Sequence, residues 1–265
     1  MNRIITTGAG LALVVAPLLA STTATAHASD SASRQAPGYS VSARISKATA
    51  VAKEDTVKIR GSVRPGAAGD KVVLQQRLEG KKTWSQSGTA KVRANGTFLL
   101  KDEPSVAGTR FYRVLKPAAG KVAKGVSSEL ELTVYAWGPL ASRQRGVAAG
   151  IINTTAMIGA DNFANSLIST APDAPNYVEY TLGKKCLKLR ATYALTDSSA
   201  TGGTGTVALK IDDRVAFASG LVLGQVIEDA ETNVTDAFRI RYELASSGTP
   251  AANTAVATPE VLCTT

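Results

Sequence analysis

Histidine is nearly absent: His27 is the only one among 265 residues. It falls in an N-terminal stretch with the order of a cleavable export signal. Arg3 is followed by an apolar run over 8–20 and by small residues ending Thr25-Ala26-His27-Ala28. Such a run is too short to span a bilayer, so the expectation is a secretory signal at 1–28, removed after Ala28. Residues 29–265 then contain no histidine. That excludes serine–histidine and cysteine–histidine nucleophilic systems, histidine general bases and imidazole-ligated zinc from the processed chain.

Cysteine is almost as scarce. Cys186 and Cys263 stand 77 positions apart, without the C-x-x-C spacing of a redox couple or a thiolate metal site. Outside the cell an even pair reads as one structural disulfide. Closing so long a loop is worth about 4 to 5 kcal/mol in the chain-entropy model. Aromatic residues are 5% of the chain, so its cores must rest on Val, Leu, Ile and Ala, and a broad sugar-stacking platform is not expected. No apolar run after the signal reaches the roughly 18 residues of a membrane helix. Neither a lipid-accepting cysteine nor a twin arginine accompanies the signal, so the expected location is extracellular or on the cell wall. Gly202-Gly203-Thr204-Gly205 lacks the lysine and helix of a phosphate loop, and no D-x-D-x-D-G calcium loop occurs. No cofactor is expected.

Charge divides the chain. Residues 37–136 hold 18 Lys/Arg against 8 Asp/Glu, whereas 137–265 hold 10 against 12. Two bodies of different electrostatic character are implied. Gly138-Pro139 breaks regular structure, which places the junction near Ala136 and a linker over 137–149. The leader at 29–38 is rich in Ser, Ala and Pro.

The first body, 39–136, reads as strands. Val57, Ile59, Gly61 and Val63 alternate with Lys58, Arg60 and Ser62 in the period of a half-buried strand. Further strands are expected at 41–45, 72–78, 110–115 and 129–135. A hairpin of 89–93 and 97–100 is expected around Asn95-Gly96, the preferred type I′ pair. About seven strands in about 100 residues fit an immunoglobulin-like sandwich. Trp84 beside apolar strands reads as core, with a ligand platform as the alternative. The string Val73-Leu74-Gln75-Gln76-Arg77, then Trp84, Asn95-Gly96-Thr97-Phe98 and Tyr112-Arg113-Val114, resembles immunoglobulin-like or fibronectin-like surface modules of exported actinobacterial proteins. The resemblance implies a spacer or adhesive unit.

The second body, 150–265, alternates as well. Val178, Tyr180 and Leu182 share one face; Leu187, Leu189, Ala191, Tyr193 and Leu195 the next; then Val207, Leu209 and Ile211; then Phe238, Ile240, Tyr242 and Leu244. No helical periodicity competes, so the whole chain is expected to be all-β, two sandwiches in series. The ordered pieces Phe163-Ala164-Asn165-Ser166-Leu167, Tyr177-Val178-Glu179-Tyr180-Thr181-Leu182-Gly183, 186–197 and Pro259-Glu260-Val261-Leu262-Cys263 resemble the NPCBM family of carbohydrate-binding modules, over roughly 150–263. The resemblance implies a galactose-binding-like jelly roll and glycan binding. Two elements depart from the family: Ile168-Ser169-Thr170-Ala171 replaces a Gly-x-His-Ala element, and Ala257-Thr258-Pro259-Glu260 replaces a tryptophan-bearing loop.

Candidate glycan contacts are of two kinds. The outward row of Glu179, Lys188, Arg190, Arg239, Arg241 and Glu243 offers guanidinium forks for carboxylate or vicinal oxygens, or else forms cross-strand ion pairs. Asn162, Asn165, Asp197, Ser198 and Ser199, near Gly202-Gly203, put short polar side chains at strand ends, or are ordinary turn formers. The adjacent carboxylates Glu54-Asp55, Asp102-Glu103, Asp212-Asp213 and Glu228-Asp229 read as solvation rather than hydrolytic pairs, because strand neighbours point to opposite faces. The basic first body calls for an anionic wall polymer. Its cations lack interleaved aromatics, which counts against specific nucleic-acid recognition. The function expected is a non-catalytic, secreted glycan-binding or envelope-associated protein, with cell-wall or extracellular polysaccharide as partner. The alternatives are a scaffold without a sugar site and an accessory module of a separate glycoside hydrolase.

Overall fold

The structure, a computed structural model, describes residues 37–264. The signal at 1–28 and all but the end of the leader lie outside the described residues. The first strands are β1 (Ser40–Ile45), β2 (Thr49–Val51), β3 (Val57–Arg64), β4 (Lys71–Leu78), β5 (Ser85–Lys91), β6 (Thr97–Asp102), β7 (Gly108–Lys116), β8 (Gly125–Val126) and β9 (Leu130–Pro139). After one helical turn at Leu140–Ser142 come β10 (Ala148–Ala149), β11 (Ile151–Ile158), β12 (Asp161–Ser169), β13 (Asn176–Thr181) and β14 (Cys186–Leu195). The last are β15 (Thr204–Ile211), β16 (Arg214–Val222), β17 (Val226–Asn233), β18 (Arg239–Ser246) and β19 (Thr254–Cys263). The protein is all-β, and no helix among the described residues is long and apolar enough to cross a membrane.

Two sandwiches result. In the first, the sheet β1-β3-β6 packs on β5-β4-β7-β9, with β2 parallel to β9. Val57, Ile59, Val63, Phe98 and Leu100 from one sheet meet Val72, Leu74, Tyr112, Val114, Leu132 and Val134 from the other. In the second, β10-β13-β18-β15-β16 faces β11-β12-β19-β14-β17. Val178, Tyr180, Leu209, Ile240 and Tyr242 meet Leu167, Leu189, Tyr193, Val256 and Val261 there. The alternating apolar rows of β3, β13, β14, β15 and β18 point inward as their period requires, except that Leu187 of β14 is only partly buried and outside the core, where the pairing with β19 is irregular between Cys186 and Lys188.

Several expectations are corrected. The stretch 137–149 is not a free linker. β9 continues to Pro139, and Ala136, Trp137, Gly138 and Pro139 pair with Cys263, Leu262, Val261 and Glu260 of β19. Pro139 is tolerated because this end of β9 pairs with β19 alone among the described strands and has a free edge on its other side. Leu140 and Ala141, next in sequence, are buried in the second core. Asn95-Gly96 makes a tight turn but not a hairpin: β5 pairs with β4, whereas β6 pairs with β3 in the opposite sheet. Only Gly96 has positive φ (79°), and Asn95 instead accepts the Thr97 N–H with its side chain. Val92, buried between the sheets, exchanges backbone hydrogen bonds with Gly69 and Asp70, and this carries the chain across. Phe238 is 55% exposed, since β18 begins only at Arg239. Ala257-Thr258-Pro259-Glu260 is strand rather than loop, kinked at Thr258 (φ 42°).

Cys186 and Cys263 form the expected disulfide, joining β14 to β19 where β19 also pairs with β9. Arg190 reinforces the same place, lying 4.2 Å over the Trp137 ring while binding Glu260. Replacing both cysteines by alanine is expected to lower the unfolding free energy by about 2 to 4 kcal/mol. A denaturant midpoint equal to that of the wild type would contradict this placement of the crosslink in the fold.

Candidate functional site

The outer face of β1-β3-β6 carries cations in register. Arg44 lies directly opposite Arg60, and Lys58 opposite Lys101, while Arg64 lies opposite Ser40. Ser42, Ser62 and Thr97 form a hydroxyl row across the same three strands, with Ser42 and Ser62 hydrogen-bonded at 3.0 Å. Arg93 closes one end of a shallow concavity of about 690 Å³ on this face. Among the described residues, no carboxylate lies within ion-pairing distance of Arg44, Lys58, Arg60, Arg64, Arg93 or Lys101. Like charges directly opposite destabilise a sheet by tenths of a kcal/mol or more per pair.

A side chain at Gly61 would collide with the Ser42 carbonyl and the Phe98 ring, so glycine lets β1 lie close on β3. The period-two string Lys58, Arg60, Ser62, Arg64 gave part of this face. Which strands flank it was not readable, and so neither Arg44 nor Lys101 could be joined to it.

Elsewhere on the first sandwich several charges are paired or stacked. Lys47 binds Asp55, Arg77 binds Glu129, and the buried Lys116 binds Asp70 at 3.0 Å beneath the Tyr39 ring. Trp84 is neither core nor open platform. It is half-buried between the guanidinium groups of Arg77 and Arg113, at 5.1 and 4.1 Å from its ring.

The candidate glycan residues of the second sandwich fall into three separate places. Glu179, Arg239 and Arg241 share the outer face of β13 and β18, where Arg241 reaches Glu179 at 3.3 Å and Glu243 at 3.0 Å. Lys210 also binds Glu243, Arg239 binds Asp213, and Arg241 stacks 4.0 Å over Tyr177. Lys188 and Arg190 belong to the opposite sheet, where Glu231 and Glu260 neutralise them. The expected single row is therefore two rows, because β14 pairs with β17 and β19 and not with β18.

The loop residues are also dispersed. Asp197 accepts the N–H groups of Gly159 and Ala160 at 2.8 and 2.9 Å, fixing a turn whose two residues both have positive φ. Asn162 is exposed on the hairpin that this turn closes. Asn165 sits in the irregular stretch of β12 with φ 54°, accepting a hydrogen bond from Ser142. Ser198 and Ser199 hold Asn253.

Three of the four acidic pairs have local partners too, the exception among the described residues being Glu228-Asp229. Lys47 and the Val51 N–H hold the Asp55 carboxyl below its ordinary range, and the backbone N–H groups of Arg239 and Phe238 do the same for Asp212. Asp102 accepts hydrogen bonds from Ser87 and from the Tyr112 hydroxyl. Among the described residues no cluster of three or more His, Cys, Asp or Glu side chains is placed to hold a metal ion. No protein-family model matches the chain, and no curated protein matches it either.

Four buried phenols give the fold an alkaline limit. Burial pushes Tyr112, Tyr180, Tyr193 and Tyr242 above the ordinary value of 10.0, with the Asp102 hydrogen bond adding to the effect at Tyr112. The folded chain therefore holds more protons than the unfolded chain above that pH. Stability is complete below 10.0 and falls as pH rises past it. Phenolate absorbance is expected to show these four appearing together with loss of the folded circular-dichroism signal. Four phenolates appearing while that signal is intact would contradict their burial.

Proposed function

We propose that the chain is an exported, non-catalytic protein that associates with glycan or anionic polymer of a cell envelope. The observation that carries this reading is the contrast in ion pairing between the two sandwiches. The first leaves a whole sheet face of cations without carboxylates. The second neutralises Lys188, Arg190, Lys210, Arg239 and Arg241 internally. A surface that keeps like charges opposed accepts a stability cost that an anionic partner removes. Asp55, Asp102 and Asp212 are occupied by their own hydrogen bonds, which supports binding rather than acid–base chemistry. The resemblance of the second sandwich to the NPCBM family supports a saccharide component in the partner.

A second reading places a glycan on the outer face of β13 and β18. Tyr177, Arg241, Glu179 and Glu243 there combine an aromatic ring with charged acceptors and donors.

Retention of the intact chain on purified Gram-positive walls, followed by salt elution, tests the first reading and separates it from the second. Retention at low salt and release at high salt is the expected result. Absence of retention at low salt would overturn it. Retention that persists at high salt and is lost in Tyr177→Ala would assign binding to the second face instead.

A further inference from the structure

Resting on that envelope reading, we propose that the outer face of β1-β3-β6 is a binding site for a linear phosphodiester polymer, specifically one whose repeating unit is a polyol rather than a nucleoside. Three features of the face select this chemistry. First, Arg44 and Arg60 are cross-strand neighbours with no acid paired to either, so two guanidinium side chains leave adjacent positions of one face. A phosphodiester can take one fork on each of its two free oxygens, and a polymer repeats that acceptor along its length.

Second, the donors repeat along the strand. Lys58, Arg60, Ser62 and Arg64 project from one face of β3 at intervals of about 7 Å, two residues of strand rise. A flexible chain with one phosphate per short polyol unit can follow that period. Ser42 and Thr97, flanking Ser62, present hydroxyls that suit the polyol oxygens between phosphates.

Third, the exposed side chains of the face include no aromatic ring. Phe98 is buried beneath it, 2% exposed, and the other large apolar residues lining the concavity, Ile45 and Leu99, are aliphatic. Proteins that bind single-stranded nucleic acid without sequence preference stack bases on exposed aromatics, and this face offers none. The open shape of the concavity suits an extended polymer lying along β3 rather than an enclosed small molecule.

Isothermal titration of the full chain with poly(glycerol phosphate), with polygalacturonate and oligothymidylate in parallel, tests the proposal. The triple variant R44Q/K58Q/R60Q is compared with K82Q/K121Q/K124Q, which removes the same charge from exposed lysines elsewhere. For the first variant the expected result is an affinity for poly(glycerol phosphate) at least about tenfold weaker. The slope of log K against log salt should fall by about 2, at about 0.7 per phosphate contact of a flexible strand. The second variant should change affinity less than about twofold, its charges lying outside the contact and being screened. Its melting temperature should match that of the wild type, and that of R44Q/K58Q/R60Q should be equal or higher, because opposed like charges have been relieved. A lower melting temperature for that triple variant would contradict the unpaired state of the face.

Equal weakening by both variants would overturn the site and leave envelope association by net charge standing. No binding of any polymer, together with no retention on walls, would overturn both. Polygalacturonate bound as tightly, with the same dependence on Arg44 and Arg60, would overturn the phosphodiester assignment. Tighter binding of oligothymidylate would overturn the polyol assignment.

Discussion

The pairing of the last four residues of β9 with the last four of β19 is the constraint on which the rest of the molecule depends. β9 serves two bodies in succession. Residues before Ala136 pair with β7 and β2 in the first sandwich, and those from Ala136 onward pair with β19 in the second. A strand shared in this way joins the sandwiches through backbone hydrogen bonds instead of through side-chain contacts alone. The disulfide ties β19 to β14 at the same level, and Arg190 links β14, Glu260 and Trp137 across it. Removing any one of these leaves the others, but all converge on a patch of fewer than a dozen residues.

That junction also separates two electrostatic strategies. On the second sandwich, outward cations meet carboxylates one strand away, so its faces are largely self-neutralised; exposed pairs of this kind add little stability but cancel the local field. On the first, β1-β3-β6 opposes arginine to arginine and lysine to lysine. The core beneath, built on Ile59, Phe98, Leu100 and Tyr112, bears that repulsion. The β1-β3-β6 face thereby keeps a positive field that the cross-strand ion pairs of the second sandwich cancel on their own faces.

How much of this could be read from the sequence depended on side-chain size. Strands β3, β4, β7, β13, β14, β15 and β18 announce themselves because large apolar residues alternate with polar ones. β11, β12 and β19 do not. Ala156, Ala194, Ala255 and Ala257 form a small second cluster under Phe163 and Ile168 on the far side of the sheet, so both faces of β19 are covered and the period vanishes. β16 and β17 are edge strands, largely exposed, and carry no apolar row. The tight turn at Asn95-Gly96 was legible but its partners were not, because the buried Val92 and not the turn decides which sheet the chain enters. The disulfide was legible from cysteine scarcity alone. Among candidate contacts, residue types were recognised and groupings were not: Arg190 and Arg241 look alike along the chain yet lie on opposite sheets. The cationic face was half visible as the row in β3, and its completion by Arg44 and Lys101 required the strand order.

Covalent lysine labelling of the intact chain, with and without poly(glycerol phosphate), tests the central claim most directly. Lys58 and Lys101 stand opposite each other on the face, whereas Lys184, Lys188 and Lys210 belong to the second sandwich. The account predicts that the polymer shields Lys58 and Lys101 while labelling of the other three is unchanged. Shielding of Lys210 or Lys188 with Lys58 and Lys101 still fully reactive would contradict it.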